Sequence, residues 1–203
     1  VRFIGNRSSG RMGFALAQAA AEAGAVVDLV AGPVSLPTPD RVNRVDVVSA
    51  LEMHTQVMKL CQGAHLFIAC AAVADYRPAQ RNPVKWKRQG QEEVSVSLVP
   101  NPDIVADAVR RFPDMVHLAF AAETHQVLEH AQDKLRSKQV DFLAVNDVSQ
   151  PEIGFESSEN ELTLLAQDGS SDFLGRMSKT QLARRIVARL AEAEPMRRSA
   201  SNT

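Results

Sequence analysis

The sequence lacks features that several classes of protein require. Its two cysteines, Cys61 and Cys70, form no CxxC pair and have no metal-type spacing, which favours a reducing compartment over a disulfide scaffold. We find no apolar run of about 18 residues and no signal peptide, so we expect a cytoplasmic protein without a membrane partner. With 23 basic and 24 acidic residues the net charge is −1, so we expect no nucleic-acid partner.

Two nucleotide-binding signatures are also missing. The polar turn NRSSGRMG, at residues 6–13, precedes an apolar run but carries neither the lysine of a P-loop nor GxGxxG spacing. Its residues predict either an anion site built from backbone N–H groups at a helix start or an ordinary serine N-cap. The five histidines show no ligand spacing, and no Ser-His-Asp or carboxylate-dyad arrangement stands out.

The pattern of apolar residues predicts an α/β fold. Helical and strand-like stretches alternate from residue 10, which indicates a Rossmann-like three-layer sandwich with a mainly parallel sheet. The stretch NELTLLAQDGSSDFLGR predicts an antiparallel hairpin near the carboxyl end, followed by a closing helix. The opening VRFIG is too short for a full strand, so we expect the first strand to be missing. We expect one domain over residues 1–194 and a disordered tail over residues 195–203.

Ligands of such sheets bind beyond the carboxyl ends of the strands. Three loops follow apolar strands there, at residues 69–76, 121–124 and 146–154. In the first, Asp75 can bind ribose hydroxyls or cap a turn, and the small residues before it admit a flat ring or pack a helix.

Lysines provide a second set of candidates. Lys85 and Lys87 lie in a long polar segment and either close over phosphates or are only solvated. Lys134 and Lys138 share a helix face that could hold a triphosphate, although exposed helical lysines are common. Asn101, with Pro102 after it, is predicted to open a helix. These residues indicate a nucleotide-binding domain with a cationic lid and leave its reaction open.

Six strings in register resemble the motifs of phosphopantothenate–cysteine ligase, and the resemblance runs from residue 1 to about residue 190. The strings are NRSSGRMGFALA, GPVSLPTP, CAAVADYRP, NPDIV, FAAET and VNDVSQPEIGF. In many bacteria this ligase is the carboxy-terminal half of a bifunctional coenzyme A biosynthesis protein with a flavin-dependent decarboxylase. The resemblance therefore implies that FMN belongs to the other half, which is absent here. It also implies a first strand and a glycine-rich turn upstream, so the activity of this truncated chain is itself in question.

The resemblance implies a CTP-dependent reaction through an acyl-cytidylate. Its small-molecule partners are CTP, 4′-phosphopantothenate and cysteine; Mg²⁺ accompanies CTP with no ligand residue assigned, and the enzyme is a homodimer. Two other functions stay open, a nicotinamide-dependent oxidoreductase of Rossmann type and a nucleotide-binding module without turnover. The absence of GxGxxG weighs against the oxidoreductase.

The resemblance also implies residue roles. Asn6 and Lys85 are the catalytic candidates, with Asn6 acting in the cysteine step and Lys85 on a mobile lid. The opening turn binds phosphopantothenate and the acyl-cytidylate, and its serine also caps the helix. Arg11 stands where many members have lysine, a mild change of cation. The CTP-binding candidates are Ala69, Cys70, Ala71, Asp75, Lys85, Asn101, Pro102, Asp103, Ile104, Phe120, Lys134 and Lys138, and the substrate-binding candidates are Asn6, Ser8, Ser9, Gly10 and Ala72.

Overall fold

The computed structural model describes residues 4–80, 84, 95–123, 127–147 and 159–201, and within these ranges helices and strands largely alternate. The helices are α1 (Arg11–Glu22), α2 (Ala50–Leu60), α3 (Ile104–Arg111), α4 (Val127–Lys138) and α5 (Lys179–Ser201). The strands are β1 (Val27–Ala31), β2 (Val42–Asp46), β3 (Leu66–Ala69), β4 (Tyr76–Pro78), β5 (Leu98–Pro100), β6 (Val116–Glu123), β7 (Phe142–Asp147), β8 (Glu159–Ala166) and β9 (Ser171–Ser178).

The central sheet has five strands in the order β3-β6-β7-β8-β9. β3, β6 and β7 run parallel, whereas β8 is antiparallel to β7 and β9 is antiparallel to β8. The predicted parallel sheet with an antiparallel carboxy-terminal hairpin is thus confirmed. β4 and β5 form a separate antiparallel pair.

Helices cover both faces of the sheet, which gives the predicted three layers. On one face α1 and α5 pack against β6 around Leu118, Leu182 and Ile186, each 0% exposed. Burying one such side chain contributes roughly 1.5–3 kcal/mol, so this cluster dominates the apolar stabilisation of that face. On the other face Leu135 of α4 packs with Val145 of β7, and α2 packs with α3.

The sheet layer is interrupted between β1 and β3. β1 pairs in parallel with β2 and belongs to a separate two-stranded sheet, although its residues Val27 and Val30 pack against the cores on opposite faces. Among the described residues, one edge of β1 and one edge of β3 therefore have no strand partner. All four residues of β3 are half-buried, unlike the fully buried centre of β6.

Local capping explains most helix boundaries. A capping box starts α2, because Ser49 Oγ accepts the N–H of Glu52 at 3.2 Å and Glu52 accepts the N–H of Val48 at 3.0 Å. The prediction that Asn101 opens α3 is wrong, since the cap is Asp103, which accepts the N–H of Ala106 at 3.0 Å. Asn101 is bonded instead to a neighbouring loop.

The closing helix α5 continues to Ser201, and the expected domain boundary at residue 194 stays a prediction. Pro195 lies within this helix, although proline is usually a helix breaker. Alanine and arginine, which favour helix, follow it in the stretch PMRRSAS.

Candidate functional site

The polar turn at residues 6–10 lies directly before α1. Gly10 caps this helix with a φ of 73° and without a side-chain cap bond, while Ser8 Oγ accepts the N–H of Gly10 at 3.3 Å. The prediction that a serine caps α1 is therefore wrong. The chain enters the helix through a left-handed glycine, a conformation that L side chains rarely adopt. Gly10 has no side chain with which to cap the first N–H groups of α1, an arrangement that suits an anionic ligand.

Two asparagines hold the loop that follows β3. Asn6 Nδ2 donates to the carbonyl oxygen of Val73 at 3.1 Å. Asn101 Nδ2 donates to that of Ala74 at 2.8 Å, and the N–H of Asn101 donates to that of Asp75 at 2.7 Å. Three successive carbonyl groups of one loop are therefore fixed by residues distant in sequence. The exposed carboxylate of Asp75 is left at the surface of this rigid loop.

Arg77 also belongs to this network, although its sequence context predicted no role for it. Its guanidinium donates to the carbonyl oxygen of Pro100 and to Asn101 Oδ1, the latter at 3.3 Å. It therefore links the loop at residues 70–75 to the segment that leads into α3. The string CAAVADYRP contained this arginine, but only the fold brings Asn101 beside it.

Lys138 pairs with Asp103 where α4 approaches the start of α3. Partial burial of Asp103 opposes ionisation, but hydrogen bonds from Lys138 and from the N–H of Ala106 outweigh it and lower the pKa of the carboxyl group. The lysine is thus held by a carboxylate beside the Asn101–Ile104 segment. A phosphate could replace that carboxylate as its partner.

Cys70 lies at the carboxyl end of β3, and burial raises the pKa of its thiol to about 12. The thiol is therefore a poor nucleophile. Lys179, the first residue of α5, is only 6% exposed, and burial and the nearby charge of Arg11 lower its pKa. Sequence reasoning missed Lys179, because a lysine at a helix start gives no signal of burial.

Other candidates lie around this network with different exposure. Ile104 is buried between α2 and α3, so only its backbone faces a ligand. Phe120 is half-buried against the α1/α5 core, and Lys134 is half-buried one helical turn before Lys138. Ala69, Cys70 and Ala72 are half-buried, as are Ser9, Gly10, Asn101 and Pro102, whereas Asn6, Ser8, Ala71 and Asp103 are exposed. Lys85 and Lys87 lie outside the described residues.

Two further findings concern the described part of the chain. It contains no group of three or more His, Cys, Asp or Glu side chains able to hold a metal ion. None of its helices combines the length and apolar character needed to span a membrane. The candidate site consists of loops at the carboxyl ends of the parallel strands. The polar side chains described there are mainly those of lysine and asparagine.

Sequence comparisons agree with this geometry. Residues 1–193 match the model of the DNA/pantothenate metabolism flavoprotein C-terminal domain family. The chain is 51% identical over 172 residues to the coenzyme A biosynthesis bifunctional protein CoaBC of Escherichia coli K12, covering 83% of this chain and 42% of that protein. It is 42% identical over 202 residues to CoaBC of Mycolicibacterium smegmatis, covering 94% of this chain and 49% of that protein. The chain thus spans less than half the length of these relatives.

Solved structures share the fold. A crystal structure of the C-terminal domain of CoaBC has a TM-score of 0.78 and 34% identity, covering 97% of this chain and 87% of that one. A structure of the Cab2 mutant H337A in complex with phosphopantothenate-cysteine has the same TM-score, 0.78, at 16% identity, covering 100% of this chain and 83% of that one, and supports the fold alone. The chain belongs to the DNA/pantothenate metabolism flavoprotein C-terminal domain family.

Proposed function

We propose that this chain is a phosphopantothenate–cysteine ligase domain that uses CTP and acts in coenzyme A biosynthesis. One observation carries the assignment of the site. Asn6, the loop at residues 70–75 and Asn101 are joined by hydrogen bonds of 3.1, 2.8 and 2.7 Å into one surface at the carboxyl end of β3. The family supplies the reaction class, and CoaBC relatives at 42–51% identity support the pathway.

The first step activates a carboxylate. A carboxylate oxygen of 4′-phosphopantothenate attacks the α-phosphorus of CTP, the bond to the bridging oxygen breaks, and pyrophosphate leaves. The product is an acyl-cytidylate, a mixed anhydride. Negative charge moves onto the departing pyrophosphate, so cations near the β- and γ-phosphates lower the barrier. In our proposal Lys85, Lys134 and Lys138 supply that charge, and Lys138 changes partner from Asp103 to the triphosphate.

The second step forms the amide. The neutral amine of cysteine attacks the acyl carbon, the carbon–oxygen bond to the phosphate breaks, and CMP leaves while the nitrogen loses a proton. In this proposal Asn6 serves this step through its amide, which donates to an oxygen of the acyl group. The same Nδ2 donates to the carbonyl oxygen of Val73 at 3.1 Å. That carbonyl keeps the donor group oriented until a ligand oxygen takes its place.

The nucleotide itself is held by backbone and ribose contacts in this proposal. Asp75 accepts from the ribose hydroxyls, while the backbone of Ala69, Cys70 and Ala71 lines the nucleotide site and Phe120 lies against the base. Mg²⁺ enters bound to the triphosphate and supplies further charge neutralisation. Mg²⁺ in such sites is held largely by phosphates and water. We place FMN on a separate decarboxylase domain and none on this chain.

We also propose a cytoplasmic homodimer. Tyr76 and Leu98 on the β4–β5 pair are 55% and 44% exposed, and exposed apolar surface of this kind is typical of subunit interfaces. Analytical ultracentrifugation tests this, with a dimer mass expected for the wild type. A monomer at micromolar concentration would contradict the proposal.

The decisive experiment measures pyrophosphate release with each nucleotide in turn. We expect release that requires both CTP and 4′-phosphopantothenate, with ATP much poorer, and CMP release once cysteine is added. Lys138→Gln should raise the KM for CTP by about tenfold, the effect of losing one charge-assisted contact. Lys59→Gln, which removes an exposed lysine in the last turn of α2, is the matched control and should leave that KM unchanged. Pyrophosphate release without 4′-phosphopantothenate would refute the ligase, and stabilisation by NADPH alone would support the oxidoreductase.

A further inference from the structure

Arg44 of β2 makes more polar contacts than its place in the sequence predicts. Its Nη1 donates to the carbonyl oxygen of Leu36 at 2.7 Å and its Nη2 to that of Val34 at 3.3 Å. Its Nε pairs with Asp46 at 2.7 Å. All three guanidinium nitrogens therefore have acceptors, and the side chain is only 16% exposed. A planar fork of donors is required for this arrangement, so lysine cannot reproduce it.

The loop held by Arg44 presses on the turn before α1. Val34 Cγ1 lies 3.0 Å from the position that a Cβ on Gly10 would occupy, so Val34 packs directly over the Gly10 backbone. Gly10 is the left-handed residue through which the chain enters α1. Any movement of Val34 therefore changes the packing at the residue that ends the turn at residues 6–10.

Arg44 also contacts α1 itself. Its guanidinium carbon lies 5.2 Å from the ring centroid of Phe14, a cation–π contact. Phe14 is buried in the first turn of the helix, and its N–H donates to the carbonyl oxygen of Gly10 at 3.0 Å. The Arg44 side chain thus contacts both the Val34 backbone and the first turn of α1. Val34 packs against Gly10, and Phe14 is hydrogen-bonded to Gly10.

We propose that Arg44 is a positioning residue for the turn at residues 6–10. By fixing Val34 and Phe14 it sets Gly10, and through Gly10 the placement of Asn6, Ser8 and Ser9. In the proposed ligase these residues bind phosphopantothenate and the acyl group, so this inference rests on that function. Arg44 reaches the turn at residues 6–10 through Val34 and Phe14, so its loss should disturb the phosphopantothenate end of the site before the nucleotide end.

The test uses Arg44→Met, which keeps the apolar stem, and Arg44→Lys, which keeps the charge. Arg184→Met is the control, because Arg184 pairs with Glu22 at 3.0 Å in the last turn of the same helix, far from the turn. Backbone amide exchange of residues 8–14 is measured by mass spectrometry, with the buried residues 116–119 of β6 as an internal reference. The KM values for 4′-phosphopantothenate and for CTP are measured on the same samples.

We expect exchange of residues 8–14 to become about tenfold faster in Arg44→Met, less in Arg44→Lys, and to stay unchanged in Arg184→Met. The KM for 4′-phosphopantothenate should rise about tenfold while that for CTP stays within about twofold. Unchanged exchange in both Arg44 variants would overturn the proposal, as would an equal rise in both KM values. A wild-type protein without ligase activity would refute the proposed function, and the exchange data would still decide whether Arg44 fixes the turn.

Discussion

Replacing Asn101 tests whether the loop at residues 70–75 is held for ligand binding. Asn101→Ala removes the bond from Nδ2 to the Ala74 carbonyl oxygen, at 2.8 Å, and the acceptor that Arg77 reaches at 3.3 Å. Asn101→Asp keeps the shape and the acceptor but replaces the donor with an oxygen facing a carbonyl. The backbone bond from Asn101 to Asp75 should survive in both variants. The pair therefore separates the contribution of the donor from that of the whole side chain.

The expected loss of stability in Asn101→Ala follows from the two side-chain hydrogen bonds that the substitution removes. A net hydrogen bond contributes about 0.5–1.5 kcal/mol, and the 3.3 Å contact is the weaker of the two. We therefore expect a loss of about 1–2 kcal/mol in the free energy of unfolding for Asn101→Ala. For a domain of this size that corresponds to a fall of roughly 2–8 °C in Tm. If a bound nucleotide requires the loop in its present conformation, the same free energy raises the Kd for CTP roughly 5–30-fold.

The assay combines thermal unfolding with a CTP titration in Mg²⁺. Asn43→Ala is the control, since Asn43 Nδ2 donates to Asp28 at 2.6 Å on the exposed surface of the β1–β2 pair. This variant should lower Tm by no more than a few degrees and leave the Kd for CTP unchanged. An unchanged Kd in both Asn101 variants would refute the reasoning, because the loop would then need no anchor from Asn101 to bind nucleotide.

Four further predictions concern single residues. Lys85→Gln should reduce phosphopantothenate-dependent pyrophosphate release by about 100-fold or more, with the far-UV circular dichroism unchanged; unaltered release contradicts its proposed role. Asn6→Asp should slow CMP release after cysteine addition more than pyrophosphate release, whereas equal slowing would contradict the role in the cysteine step. Cys70, with a pKa of about 12, should resist alkylation at pH 8 until the protein unfolds, and rapid native-state labelling would contradict its burial. The pKa of Asp103 is lowered in the folded state, so its contribution to stability is present above the unfolded pKa of about 3.8 and is lost as pH falls through the folded pKa. Asp103→Asn should therefore flatten the decline of Tm below pH 4, and an unchanged slope would contradict this.

The fold could be predicted from the sequence because its determinants are local or periodic. Alternating apolar stretches predicted the layers, and NELTLLAQDGSSDFLGR predicted the antiparallel β8–β9 hairpin that is observed. The capping box at Ser49 is likewise a contact between residues three apart. The prediction of the α1 cap was wrong because two serines and a glycine stand side by side in the sequence. Only the backbone angle at Gly10 shows which of these residues is the cap.

The contacts of the site could not be predicted, because they join residues distant in sequence. Asn101 was predicted to cap its own helix, and nothing local indicates that its side chain donates to Ala74 instead. The pairing of Lys138 with Asp103 spans 35 residues, and Lys179 is buried near Arg11 and Cys70, which are distant from it in sequence. The roles of Lys85 and the other proposed ligand contacts stay predictions.

The separation of β1 and β2 from the central sheet has a consequence for native-state opening. Among the described residues, no strand pairing joins these two strands to β3, so side-chain packing with α1 and α2 is what retains them. We expect them to open as one cooperative unit at a lower free energy than β6 and β7. Val34 and Arg44, which fix the turn before α1, belong to this unit. A ligand that orders the turn should therefore slow the opening of β1 and β2, although it contacts neither strand.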